Sequence, residues 1–115
     1  MKSFSVEFNL RDSEYMTALR LVAGAVCSVA DVDVDSAEDF KVCVTESALI
    51  LKNGGFERVK AVFDAQGGVS ASIEGEGGNP EEGDNELSLA LIGALVGRCD
   101  ISKNGGIIDK VTLKL

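Results

Sequence analysis

Apolar and polar residues alternate at the start of the chain, with Phe4, Val6 and Phe8 set against Ser5, Glu7 and Asn9. A period of two places the two sets on opposite sides of a pleated strand and predicts a half-buried first strand. The period then lengthens. Tyr15, Leu19, Val22, Val26 and Val29 recur at helical spacing, with Met16 and Ala23 beside them. They predict a first helix capped by Asp12 or Ser13 and ending near Ala30. An acidic connection, Asp31 to Asp35, leads to a second helix capped by Asp35 or Ser36. Phe40, Val44, Ala48 and Leu51 form its main apolar stripe. Asn53-Gly54-Gly55 ends it, because Gly and Asn tolerate the left-handed conformation that follows helix ends.

Val59, Ala61 and Phe63 alternate with Arg58, Lys60, Val62 and Asp64, and Val69, Ala71 and Ile73 alternate with Ser70, Ser72 and Glu74. The turn between them, Gln66-Gly67-Gly68, makes the pair a hairpin. Gly75 to Asp84 is a flexible acidic loop. Asn85 to Val96 predicts a third helix with almost no polar face, expected to be buried on several sides. A second hairpin, Arg98–Lys103 and Ile107–Leu115, turns at Asn104-Gly105-Gly106. The order β-α-α-β-β-α-β-β predicts an α+β fold of two layers. One mixed, largely antiparallel sheet of about five strands is covered on one face by three helices.

At 115 residues the chain suits one domain, spanning 1–115. The net charge of −8 argues against a sequence-independent nucleic-acid binder and against anionic membrane surfaces. The alternating start predicts no leader peptide. The longest apolar stretch, Leu87 to Val96, is far short of the ~20 residues of a membrane span. Cys27, Cys43 and Cys99 lie far apart in apolar segments, which suits reduced, buried thiols and a cytoplasmic location. With no histidine and no Cys-x-x-Cys spacing, the usual zinc sites and the His-dependent catalytic triads and dyads are excluded. Asp31, Asp33 and Asp35 lack the Gly and the closing Glu of a calcium loop, so capping and solvation account for them.

Glu46 is the acidic residue that stands out. Its helical neighbours three and four positions away, Val42, Cys43, Leu49 and Ile50, are all apolar. Such a carboxylate is either hydrogen-bonded or solvent-facing at a helix edge, or held in a pocket as a general base.

The chain resembles the GHKL (Bergerat-fold, histidine-kinase-like) ATPase domain, and among its members the small bacterial anti-sigma-factor serine kinases. The resemblance runs over nearly the whole chain. It is carried by Leu19-Arg20-Leu21, by Asp39 to Ala48, by Ile73-Glu74-Gly75-Glu76-Gly77, by Leu87 to Ile92 and by the closing Asn104-Gly105-Gly106 hairpin. It implies that Glu46 takes the place of the family's general base and that an Asn four residues on ligates Mg²⁺. Here that position is Ile50, whose hydrocarbon side chain cannot ligate a hard cation. Asn53 lies too far along the helix to substitute. The family's Asp-x-Gly, whose Asp accepts from the adenine amino group, is matched by Gly75-Glu76-Gly77 without the Asp. Its phosphate-cradling Gly-x-Gly is matched by Glu86-Leu87-Ser88. The long ATP lid is reduced to about ten residues, Gly75 to Asn85.

With metal ligand, adenine acceptor, phosphate glycines and lid altered together, the expectation is a scaffold without its ATP chemistry. Glu46 is then a remnant and no metal or cofactor is held. The implied role is a non-catalytic regulatory module for a protein partner, a sigma factor or an anti-sigma antagonist, with a homodimer as a further arrangement. Arg20 occupies a position that such kinases use against partners; an ordinary exposed helix arginine is the plainer account. Two alternatives stand beside it. One is an ATP- and Mg²⁺-dependent serine/threonine kinase with an atypical pocket. The other is a small-molecule sensor using the former nucleotide pocket, now apolar through Ile50.

Overall fold

A computed structural model describes all 115 residues. Its elements are β1 (Phe4–Asn9), α1 (Glu14–Val29), α2 (Val34–Asn53), β2 (Arg58–Asp64), β3 (Ser70–Glu76), α3 (Glu86–Leu95), β4 (Arg98–Asn104) and β5 (Ile107–Lys114). The strands form one open sheet in the order β1-β2-β3-β5-β4. The fold is α+β, with the elements in the expected order.

Every strand pairing is antiparallel. The expected mixed sheet is corrected here, and the reason is topological. After β3 the chain crosses through α3 to the sheet edge, lays down β4, and returns as β5 between the two. β4 runs in the direction of β3 but never touches it. The alternation read from the sequence sets the register. Phe4, Val6 and Phe8 stand opposite Phe63, Ala61 and Val59. Ala61 and Phe63 stand opposite Ile73 and Ala71, and these opposite Val111 and Leu113. All of the β2, β3 and β5 residues named are fully buried. They share one parity, hence one face of the sheet.

The helices cover that face. α1 packs on α2, α2 lies over the central strands, and α3 sits between α2 and β4. The α2 stripe Phe40, Val44, Ala48 and Leu51 is buried as expected. On α1 the buried set is Leu19, Ala23, Val26 and Cys27, so the stripe is rotated from the predicted one, and Tyr15 and Val29 are exposed. Gly24 lets the helices approach: the Lys41 stem lies 3.2 Å from where a Cβ on Gly24 would be.

Helix ends differ in detail from expectation. α1 starts after Ser13 without a side-chain cap, and Asp33 rather than Asp35 or Ser36 caps α2, accepting from the Ser36 N–H at 3.0 Å. That bond holds the Asp33 carboxyl below its usual range. Both long helices end the same way. Asp31 (φ 56°) and Gly55 (φ 98°) turn left-handed, and the next N–H, of Val32 or Phe56, reaches back to Cys27 or Leu51. This is the Schellman arrangement. It was legible at Gly55 and hidden at Asp31, where a non-glycine adopts it.

The predicted burial of α3 on several sides is corrected too. Only Ile92 is fully buried on it, while Leu87 is 89% exposed and Leu91 40% exposed. A single helix at the end of a layer, with one neighbour helix and an edge strand beneath it, cannot bury an all-apolar circumference. No helix is long and apolar enough to cross a membrane.

Candidate functional site

Glu46 lies in the middle of α2 on the side turned toward α3. It is half-buried, and its Oε2 accepts a hydrogen bond from Ser88 Oγ at 3.1 Å. Ser88 belongs to the first turn of α3, in the stretch that the resemblance aligns with the phosphate glycines. Two positions 42 residues apart in sequence are thus brought together, and they satisfy each other. One turn further along α2, Ile50 is 2% exposed and belongs to the core. One turn earlier, Cys43 is fully buried, with its Sγ 3.9 Å from the Ile92 carbonyl. Burial pushes the Cys43 thiol up to about 11, with the negative charges of Asp39 and Glu46 adding to the effect.

The second stretch, Gly75-Glu76-Gly77, forms the end of β3 and the turn after it. Its glycines have packing reasons. A Cβ on Gly75 would stand 2.5 Å from Cγ of Phe56, so the aromatic ring occupies the space that any side chain at 75 needs. Gly77 turns with φ 68°, and a Cβ there would stand 3.0 Å from the Arg58 guanidinium. Glu76 stands opposite Arg58 in the β2–β3 ladder.

The segment that follows is tied down. Asn79 N–H donates to the Gly55 carbonyl at 3.1 Å and Glu81 N–H to that of Gly54 at 2.7 Å. The chain where a lid is expected to be short therefore lies along the end of α2. A Cβ on Gly55 would stand 2.6 Å from the Asn79 carbonyl oxygen, so this close approach needs glycine for space as well as for φ.

Four cavities indent the surface, and neither Glu46 nor Ile50 lines any of them. The widest, about 440 Å³, is an open depression at the start of α3 between Asp84, Glu86 and Ser88. Its two carboxylates repel a phosphate. A smaller one, about 160 Å³, lies beside Gly75 and is lined also by Phe56, Pro80, Asn104, Ile107 and Asp109. No three of the Cys, Asp and Glu side chains converge as metal ligands.

Arg20 is exposed on α1 and makes no ion pair. It is far from Glu46 in the layer, since α1 and α3 lie on opposite sides of α2. The structure thus joins Glu46 to the start of α3 and leaves Arg20 and the Gly75–Gly77 turn as separate regions. Sequence reasoning missed Phe56, Asp109 and the pairing of Ser88 with Glu46. Asp109 had left a signal, because it falls on the same parity as Val111, Leu113 and Leu115. Neither a protein-family model nor a curated protein matches the chain.

Proposed function

We propose that this chain is a non-catalytic regulatory module that binds another protein, on a scaffold resembling anti-sigma-factor ATPases from which ATP and Mg²⁺ binding has been lost. The observation that carries this reading is the Glu46–Ser88 hydrogen bond, with Ile50 packed in the core one turn away. The carboxylate that the resemblance makes a base is satisfied by the helix that closes on it. The side chain at the metal position belongs to the apolar interior. The Phe56 ring on Gly75 supports the same reading, since it takes the room of the adenine-binding side chain.

For the partner, the net charge of −8 favours a basic surface on a sigma factor or anti-sigma antagonist. Arg20 on α1, next to the 69% exposed Leu21, is the proposed contact, and its guanidinium requires an acidic group of the partner within that otherwise basic surface. A second copy of the chain is the alternative occupant of that face.

Isothermal titration with Mg-ATP tests the loss of nucleotide. The expected result is no saturable heat from the wild type or from Glu46→Gln. Micromolar binding abolished by Glu46→Gln overturns the proposal in favour of an atypical kinase. Sedimentation equilibrium of the wild type and Arg20→Ala then reports whether the chain pairs with itself through α1.

A further inference from the structure

Asp109 Oδ1 is the single buried side-chain oxygen or nitrogen of the molecule with no hydrogen-bond partner. Nor does Asp109 enter any of the four ion pairs. Its position explains this. Asp109 shares the parity of Val111 and Leu113, which face the helices, but it lies one residue beyond the last β3–β5 rung, Glu74 with Lys110. On its other side the β4–β5 register shifts between Ser102 and Lys103. The flanking Lys110 side chain has the opposite parity and points to the other face of the sheet. Asp109 is thus the unpaired residue of the β5 irregularity, a carboxylate set between the core residues Ile108 and Val111 with no ion-pair partner. Leaving an acceptor unpaired there costs stability, and such exceptions call for an explanation.

The cavity of about 160 Å³ described above opens beside it. Phe56, Pro80 and Ile107 supply apolar walls, Asn104 a carboxamide and Asp109 the only charge. Toward the β4–β5 turn, the Glu82 carboxylate lies 3.2 Å from where a Cβ on Gly106 would be, and Lys103 and Glu82 line the neighbouring cavity together. The cavity is open to solvent on one side, and its volume leaves room for a small ring or short stem laid against its walls. An aromatic wall and an unpaired carboxylate both attract a positive charge, and the carboxylate repels a negative one.

We propose that this cavity binds a small organic cation, a primary ammonium or guanidinium on a short apolar or aromatic stem. The cationic head donates to the Asp109 carboxylate, and the Asn104 carboxamide lies within the same wall to orient it. The stem packs on Phe56, Pro80 and Ile107. Gly75 contributes by having no side chain, which lets Phe56 form the wall. The site is separate from Glu46 but adjoins Gly75, so it rests on the proposed loss of adenine binding there.

Amide-resolved NMR titration with phenethylamine and agmatine tests this on the intact chain, with 2-phenylethanol and phenylacetate as the neutral and anionic counterparts. The expected result is saturable shifts centred on Phe56, Gly75, Asn104 and Ile107 with at least one of the two amines. Binding of 2-phenylethanol and of phenylacetate is at least tenfold weaker. Asp109→Asn weakens amine binding tenfold or more. The proposal is overturned if neither amine shifts these resonances at millimolar concentration, or if 2-phenylethanol binds as well as phenethylamine. It is equally overturned if Asp109→Asn binds the amine unchanged. The ligand series on the wild type decides the matter even if the variant folds poorly.

Discussion

The ring of Phe56 sits over the Cα of Gly75, so close that a Cβ at position 75 would lie 2.5 Å from Cγ and 2.7 Å from both Cδ atoms. Phe56 follows the left-handed Gly55 at the end of α2, and Gly75 is near the end of β3. The contact therefore locks the helix layer to the sheet at one end of the core. Any side chain at 75 must evict the ring. Gly75→Ala is expected to lower stability by about 1–3 kcal/mol, the usual range for overpacking. Urea denaturation checks this. The double variant with Phe56→Ala is expected to be less destabilised than the sum of the two singles, since the smaller residue 56 removes the collision.

Restoring the side chain that the resemblance would place at Ile50 is expected to fail as a route to metal binding. Ile50 is 2% exposed, so Ile50→Asn puts a carboxamide into the apolar core. The expected cost is roughly 2–4 kcal/mol from the lost packing and the buried amide. Thermal unfolding with and without millimolar MgCl₂ reads both effects. The midpoint falls, and Mg²⁺ does not recover it. A Mg²⁺-dependent rise would show that residue 50 can reach an ion.

Ser88→Ala removes the donor to Glu46 and leaves a half-buried carboxylate to find water. A loss of about 1 kcal/mol is expected for a hydrogen bond of this kind. Glu46→Gln keeps an acceptor oxygen and is expected to cost less. A double-mutant cycle between Glu46→Ala and Ser88→Ala isolates the pair, and a coupling near zero would mean the two side chains do not hold α3 against α2.

The cysteines give a pH dependence with a definite sign. Burial raises the thiols of Cys27, Cys43 and Cys99 above the ordinary 9.0, Cys43 to about 11. A raised value means the folded state holds the proton more tightly than the unfolded chain. The corresponding stability is present in full below pH 9 and is lost as the pH rises from 9 through about 11. Urea midpoints of the wild type and Cys43→Ala across that window check it. The wild type is expected to lose stability faster than the variant. Below pH 9, alkylation of Cys43 in the native protein is expected to be slow and to become fast on unfolding.

Much of the fold was legible because period alone separates strand from helix. Val59, Ala61 and Phe63 and their partners across the sheet could not alternate otherwise. Glycine pairs marked both hairpins, and Gly105 and Gly106 do adopt the positive φ values that a two-residue turn demands. What sequence could not supply was neighbourhood between distant segments. The apolar count of α3 says nothing of its place at the end of a layer, so burial on several sides was expected of the helix and only Ile92 is fully buried. Phe56 looks like any loop aromatic until the backbone of β3 is seen beneath it. Asp109 was readable as an acid in an apolar parity, yet only the ladder's end shows why no partner meets it.

The order β1-β2-β3-β5-β4 sets the two parts of the chain, on either side of the exposed Asn79–Asp84 connection, side by side in one sheet. The piece before it contributes β3, the piece after it contributes β5, and these two are hydrogen-bonded neighbours. α3, from the later piece, lies against α2 from the earlier one. A cut in that connection therefore severs the chain without parting the sheet. Two fragments divided there should reassemble with each other in preference to either folding alone, because each supplies the strand that the other's open edge requires.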